Sequence, residues 1–221
     1  MRNFIGRLFG GTCYLCRGAA AGTLCAACDA DLPRLSGPRC PRCALDSPRG
    51  EICGRCLRDA PHYDATVAAL AYQFPADALV QALKFRGELA LASFLGETLS
   101  PLVADHGIDQ VIPVPLSPAR LRSRGYNHAA EIARHVSRKK LALGLCMRNR
   151  DTPPQMELPY DERQRNVRGA FACTHSLAGQ TVAVVDDVMT TGATLDEVAK
   201  TLKAAGAKRV VNWVVARTFL D

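Results

Sequence analysis

A small metal-stabilised cysteine module followed by an α/β domain, with a parallel sheet flanked by helices, is the fold class this sequence predicts. Two observations predict it. Eight of the ten cysteines fall in four Cys-x-x-Cys pairs between residues 13 and 56. Residues 182–215 then read as apolar strand, acidic pair, hydroxyl-rich turn, amphipathic helix and second apolar strand, the order of a βαβ unit.

The cysteine pairs are Cys13/Cys16, Cys25/Cys28, Cys40/Cys43 and Cys53/Cys56. Each pair can set two thiolates on one metal through a tight turn, so the eight predict two tetrahedral zinc sites of four thiolates each. The segment has too little apolar material for a core, and structural zinc would supply its folding energy, on the order of 10 kcal/mol per site. Sequential sites, 13/16/25/28 and 40/43/53/56, need only short loops and are preferred. Crossed sites, 13/16/40/43 and 25/28/53/56, also fit the spacing. Cys146 and Cys173 stand apart and read as buried small residues.

Pro61 to Asp64 reads as a boundary, giving a module over 1–62 and an α/β domain over 63–221. Helices are expected at 77–83 and 89–102, with Leu91, Phe94, Leu95, Leu99 and Leu102 on one stripe. Between them, Lys84 and Arg86 are either helix-end charges or substrate contacts. Val111 to Val114 is an apolar strand. It leads into a basic loop carrying Arg120, Arg122 and Arg124, then Asn127 as the cap of a helix. Three guanidinium groups in such a loop suit a pyrophosphate. Leu145 to Arg148 reads as another strand. Residues 150–168 read as a long loop with a short helix at 160–166, a candidate lid that would exclude water.

Residues 182–194, VAVVDDVMTTGAT, carry the strongest functional signal. Val182 to Val185 suits a strand buried on both faces. Asp186 and Asp187 stand at its carboxyl end, where open α/β sheets bind ligands. Thr190, Thr191, Gly192, Ala193 and Thr194 then turn into a helix whose N-terminus offers N–H groups and partial positive charge to a phosphate. Two carboxylates can accept hydrogen bonds from vicinal hydroxyls or hold a divalent cation's water shell. Together these describe a ribose 5-phosphate site. Leu195, Val198, Ala199, Leu202 and Ala205 continue at helical spacing, Gly206 ends the helix, and Val210 to Val215 forms the next strand.

The formal charge is +7. Residues 1–62 hold nine Arg against five acids, and residues 120–168 hold twelve basic against five acidic residues. Two zinc ions on eight thiolates would cancel the first surplus, so the second stretch is the one that should meet an anion, either pyrophosphate or a nucleic-acid backbone. That stretch holds only Tyr126 and Tyr160 for stacking on bases, which gives weak support for direct strand binding. Apolar runs fall far short of the roughly 18 residues that span a bilayer. Residues 1–11 lack the apolar core of a signal peptide, so a cytoplasmic protein with no membrane span is expected.

The 182–194 segment resembles the phosphoribosyl pyrophosphate (PRPP) signature of type I phosphoribosyltransferases. The whole chain resembles the ComF family (ComFC or GntX-like) of competence-associated, phosphoribosyltransferase-like proteins. That resemblance rests on the four cysteine pairs, Leu83-Lys84-Phe85-Arg86-Gly87, and Val114-Pro115 followed by Arg124-Gly125-Tyr126-Asn127. It rests also on Gln155 with Arg163, Asn166, Gly169, Ala170 and Phe171, and on the acidic core itself. The resemblance implies a double zinc ribbon before a type I phosphoribosyltransferase fold, and a link to DNA uptake in natural transformation or to use of external DNA. It implies that Asp186 and Asp187 bind the ribose hydroxyls of PRPP and that residues 190–194 bind its 5-phosphate. Mg²⁺ would be held largely by the substrate. Two functions fit. One is phosphoribosyl transfer between PRPP and an acceptor the sequence does not name, with no residue identified as the base beyond His128 as a weak candidate. The other is a non-catalytic PRPP or nucleotide sensor that binds single-stranded DNA or proteins of DNA uptake or recombination.

Overall fold

The computed structural model describes residues 11–103, 107–150 and 166–219. In the cysteine module, β1 (Gly11–Thr12) pairs antiparallel with β2 (Ala19–Ala20), and two short helices follow, α1 (Ala26–Ala30) and α2 (Gly54–Arg58). The α/β domain then runs β3 (Ala65–Ala71), α3 (Ala76–Phe85), α4 (Ala90–Leu99), β4 (Gln110–Pro113), α5 (Pro118–Arg124) and α6 (His128–Val136). It continues with β5 (Cys146–Arg148), β6 (Phe171–Cys173), β7 (Thr181–Met189), α7 (Ala193–Ala204) and β8 (Arg209–Arg217).

Four strands form one parallel sheet in the order β3-β8-β7-β4. The two central strands are the apolar runs the sequence shows. In β8 every residue after Arg209 is buried, and in β7 the run from Val182 to Asp187 is buried. Helices cover both faces, as parallel strands require. One face packs Ala183 and Val185 against Leu79, Leu83, Leu95 and Ile132 of α3, α4 and α6. The other packs Val182 and Val184 against Leu195, Val198 and Leu202 of α7.

Several boundaries differ from the sequence reading. Strand β7 does not stop before the acidic pair but continues through it to Met189. Its ladder with β4, however, ends at Pro113 opposite Val185, and beyond that point only β8 pairs with it. The segment with Arg120, Arg122 and Arg124 is a helix, not a loop. Ser117 caps it by accepting from Arg120 N, and Pro118 sits at its first position, both favourable starts. Helix α4 ends at Leu99 and tightens into a 3-10 turn over Ser100–Leu102, because Pro101 has no N–H to continue the ladder. Leu102 is consequently exposed, while Leu91, Leu95 and Leu99 are fully buried. The 145–148 strand begins at Cys146 and lies off the main sheet, antiparallel to β6, with Cys146 opposite Cys173. Cys146 is buried and Cys173 half-buried. Most of the expected lid over 150–168 and of its helix over 160–166, with Gln155 and Arg163, falls on 151–165, outside the described residues; Asn166 and Val167 are helical.

Other local signals hold. The Asn127 side chain accepts from Ala129 N at 3.0 Å and Ala130 N at 3.3 Å. Gly206 closes α7 at φ +99°, where a Cβ would meet the Ala178 backbone at 3.1 Å. Among the described residues no helix is long and apolar enough to cross a membrane.

Leu95 has no exposed surface. Leu95→Ala should lower stability by about 2–5 kcal/mol, read as a lower urea midpoint at unchanged slope. A loss under about 1 kcal/mol would mean that α4 does not fill the core as described.

Candidate ligand site at the carboxyl edge of the sheet

The site begins where β7 outruns β4. Successive strand residues face opposite sides. Asp187 therefore shares its side with Val185, under α3 and α6, and Asp186 shares its side with Val184, under α7. Each carboxylate turns back on the chain. Asp187 N donates to Asp186 Oδ1 at 2.9 Å, and Val188 N donates to Asp187 Oδ1 at 2.7 Å. The pair is nearly closed to solvent, with Asp186 9% and Asp187 2% exposed. One ligating atom from each, and one from His128, lie within 4.8 Å of one another.

Two side chains from the flanking helices meet Asp187. Lys84 Nζ, in the last turn of α3, lies 2.8 Å from Asp187 Oδ2, and His128 Nε2, at the start of α6, lies 3.2 Å from it. Two side-chain bonds place these groups. Tyr126 Oη donates to Leu83 O, fixing the end of α3, and Asn127 Nδ2 donates to Val114 O at 3.0 Å, fixing the start of α6. Arg124 NH1 lies 2.8 Å from His128 Nδ1. A guanidinium can only donate, so Nδ1 accepts and the ring proton sits on Nε2, facing Asp187. Burial brings the imidazole down to about 4, against the pull of Asp187, so the ring is neutral at physiological pH. With both nitrogens engaged, His128 braces Asp187 rather than standing free as a base.

The two carboxylates are driven apart in acidity. Burial first, and then the charge on Asp187, push Asp186 up to about 8. Burial would raise Asp187 also, but Lys84 and His128 outweigh it and hold it below the usual carboxylate range. Near neutral pH the pair thus shares one proton, carried on Asp186. Asp187 Oδ2 is buried and has no well-directed hydrogen bond despite its ionic neighbours, so it keeps accepting capacity for a ligand.

Beyond β7 the chain makes the hydroxyl-rich turn. Gly192 adopts φ +87°, and a Cβ there would meet Met189 Cε at 2.8 Å and Tyr63 Oη at 3.1 Å. This is a conformation glycine adopts without strain. Thr191 is buried, and its Oγ1 accepts from Ala193 N at 3.2 Å. The first N–H groups of α7 have no carbonyl of their own helix to meet, so Thr190, Thr191, Gly192, Ala193 and Thr194 form an anion-favouring turn beside the acidic pair.

Helical geometry divides the three arginines. Arg120 and Arg124 are four apart and share a face, and the charge of each lowers the pKa of His128. Arg122 lies about 200° from Arg120 around the helix and is exposed. Lys84 appeared in sequence only as one of two ambiguous charges. Arg217 was missed, yet it is wholly buried and donates to Met189 O at 2.9 Å. The available signal was an arginine ending an otherwise apolar strand.

The cysteines pair sequentially. Cys13, Cys16, Cys25 and Cys28 form one set and Cys40, Cys43, Cys53 and Cys56 the other, each with its sulfurs within 4.8 Å. Cys16 and Cys25 Sγ lie 3.7 Å apart and Cys43 and Cys53 Sγ 3.6 Å apart, close to the edge of about 3.8 Å that four Zn–S bonds of ~2.3 Å require. Backbone amides support the thiolates, with Gly18 N donating to Cys16 Sγ at 3.4 Å and Cys53 N to Cys40 Sγ at 3.3 Å. Burial raises the Cys40 thiol, but the backbone N–H groups of Cys53, Cys43 and Arg42 outweigh it and bring it to about 7. Both sets fit structural zinc.

The split in the acidic pair fixes a pH dependence. A carboxyl group raised in the folded state stabilises the fold below its unfolded value and loses that contribution as pH rises through its folded value. Wild-type stability should therefore fall as pH climbs from the ordinary carboxylate range to about 8 and level off above it. Asp186→Asn should flatten the decline, read as melting temperature at pH 6.5 and 9. An equally steep decline in the variant would sink this account.

Comparison with known proteins agrees with this architecture. Residues 4–57 match the double zinc ribbon domain and residues 114–218 match the phosphoribosyl transferase domain. Competence protein F of Haemophilus influenzae is 32% identical over 98% of this chain and 100% of its own length. DNA utilization protein YhgH of Escherichia coli K12 is 32% identical over 94% of this chain and 97% of its own. Competence protein ComFC of Streptococcus pneumoniae is 25% identical over 88% and 87%. With a type I phosphoribosyltransferase-like parallel sheet, a leading double zinc ribbon and relatives of this identity across almost its full length, the chain belongs to the ComF family of competence-associated, phosphoribosyltransferase-like proteins.

Proposed function

We propose that the carboxyl-edge site binds PRPP with Mg²⁺, and that the chain serves DNA uptake or the use of external DNA, a reading supported by relatives named for competence and for DNA utilization. The observation that carries this reading is a buried carboxylate pair, with Asp187 Oδ2 short of a hydrogen bond, placed directly before an anion-favouring helix start. It takes residues 1–62 as the double zinc ribbon and 63–221 as the phosphoribosyltransferase domain.

A vicinal diol offers two donors and several acceptors, so it is read best by one acceptor and one donor. Anionic Asp187 accepts, and protonated Asp186 can donate while its other oxygen accepts. Residues 190–194 take the 5-phosphate through N–H and hydroxyl groups. Arg120 and Arg124 lie on the helix face nearer the acidic pair and suit the pyrophosphate; Arg122, on another face, does not. Mg²⁺, when bound, neutralises charge on the departing pyrophosphate, and the hard oxygen atoms of the pair fit it. Positioning and charge stabilisation are what these side chains contribute to phosphoribosyl transfer. The acceptor is any nucleophile able to reach the anomeric carbon.

Titration of PRPP and Mg²⁺ into the zinc-loaded chain should give saturable heat in a calorimeter. The heat should vanish in the double variant Asp186→Asn/Asp187→Asn, with melting temperature at pH 7 held as a folding control. No heat from the wild type removes the ligand.

A further inference from the structure

The phosphate turn is held from behind by the second cysteine set. Arg217 Nε donates to Cys43 O at 2.9 Å, and its NH1 donates to Met189 O at 2.9 Å and to Thr190 O. Arg55 lies inside the knuckle between Cys53 and Cys56, and its NH2 donates to Thr191 O at 2.8 Å. Three successive carbonyls, 189 to 191, are therefore drawn backward by two guanidinium groups. The peptide unit is planar and trans, so a carbonyl turned back leaves the following N–H turned forward. Tyr63, packed with Cys40, Cys43 and Cys56, closes the rear of Gly192.

Charge follows the same line. Arg217 has no exposed surface, and a guanidinium out of water needs nearby compensation. A zinc ion on four thiolates carries two net negative charges, and this centre stands where Arg217 meets Cys43. Among the described residues the first cysteine set makes no such contact. Cys13 packs with Leu24 and Leu32 against the α3 and α4 side of the sheet.

The geometry points to a coupling between zinc at Cys40, Cys43, Cys53 and Cys56 and the ligand on the phosphate turn, with Arg55 and Arg217 as the positioning residues. Zinc in this set holds the turn in its anion-accepting shape, and ligand on the turn holds zinc in the set. The inference rests on the PRPP reading above. Coupling of this kind is reciprocal, which allows a measurement that does not depend on turnover.

Zinc release from the full-length, zinc-loaded chain would be followed with a chromogenic chelator, with Mg²⁺ in every arm. Cys16→Ser, which disables the first set, assigns the two phases. Saturating PRPP should slow release from the second set at least about fivefold and leave the first unchanged. Arg55→Ala should keep two zinc ions per chain and lose the protection, and Arg55→Lys should recover part of it. Arg217→Lys supplies a second variant should Arg55→Ala lose metal. Heat of PRPP binding to the wild type without protection of its second zinc overturns the coupling alone. Absence of heat overturns the PRPP reading and the coupling with it. Equal protection of both zinc ions, or full protection in both arginine variants, also overturns it.

Discussion

Two carboxylates held side by side out of water cannot both ionise, and the site is organised around that fact. The chain resolves it by giving the two different neighbours. Asp187 faces Lys84 and His128 and stays anionic, while Asp186 lies on the opposite side of β7 and keeps a proton. β4 ends opposite Val185, so the stretch of β7 that carries the two carboxylates pairs with β8 alone. The links from Tyr126 to Leu83 and from Asn127 to Val114 follow from the same need, since they place the two helix ends that carry the neighbours. Fold and electrostatics thus meet in a few residues at one edge of the sheet.

The cysteine module is part of that edge and not an appendage. One sulfur set packs against the helical side of the sheet and the other against the α7 side, so the module touches both cores. A small segment with little apolar content gains metal as its own stabiliser, and the larger domain gains a rigid backing for a turn rich in glycine and threonine. His62 and Asp196 add to this seam, with His62 N donating to Asp196 Oδ1 at 2.5 Å at the first turn of α7. On the far side, Lys203 Nζ pairs with Asp64 at 2.8 Å and joins α7 to the entry of β3.

Much of this was legible in sequence wherever the signal is local. The Cys-x-x-Cys spacing fixes metal pairs because the turn itself brings the sulfurs together, and the sequential pairing followed from short loops. The run through Val185, the Asn127 cap and Gly206 each encode backbone geometry within a few residues. What the sequence hid was non-local. Lys84 and Asp187 are about a hundred positions apart, and no periodicity links them. The arginines at every second position suggested a loop because neither an apolar stripe nor an acidic start marked a helix; Ser117 and Pro118 were the overlooked marks. The sequence places the end of β7 at Val185 because charges rarely lie inside buried strands. That rule fails here because Lys84 pairs with Asp187 and burial holds a proton on Asp186. Residues 151–165 lie outside the described residues.

The sheet order carries a consequence for how the molecule is assembled. Strand β3, the first of the sheet in chain order, pairs with β8 alone, and β8 is the last. The ladder that seats β3 spans a sequence separation close to 150 residues, from Ala65 to Val211, and such distant pairing is slow to form. During synthesis the cysteine module can take up metal long before β8 emerges, while β3 must wait beside it with an unsatisfied edge. The isolated bridge between Arg34 and Leu70 lies on the other edge of β3, since Leu70 pairs with Ala216 of β8 at the same time. The ribbon thus covers the outer edge of the first strand, which would otherwise be open to pairing with another chain, while the inner edge waits for β8.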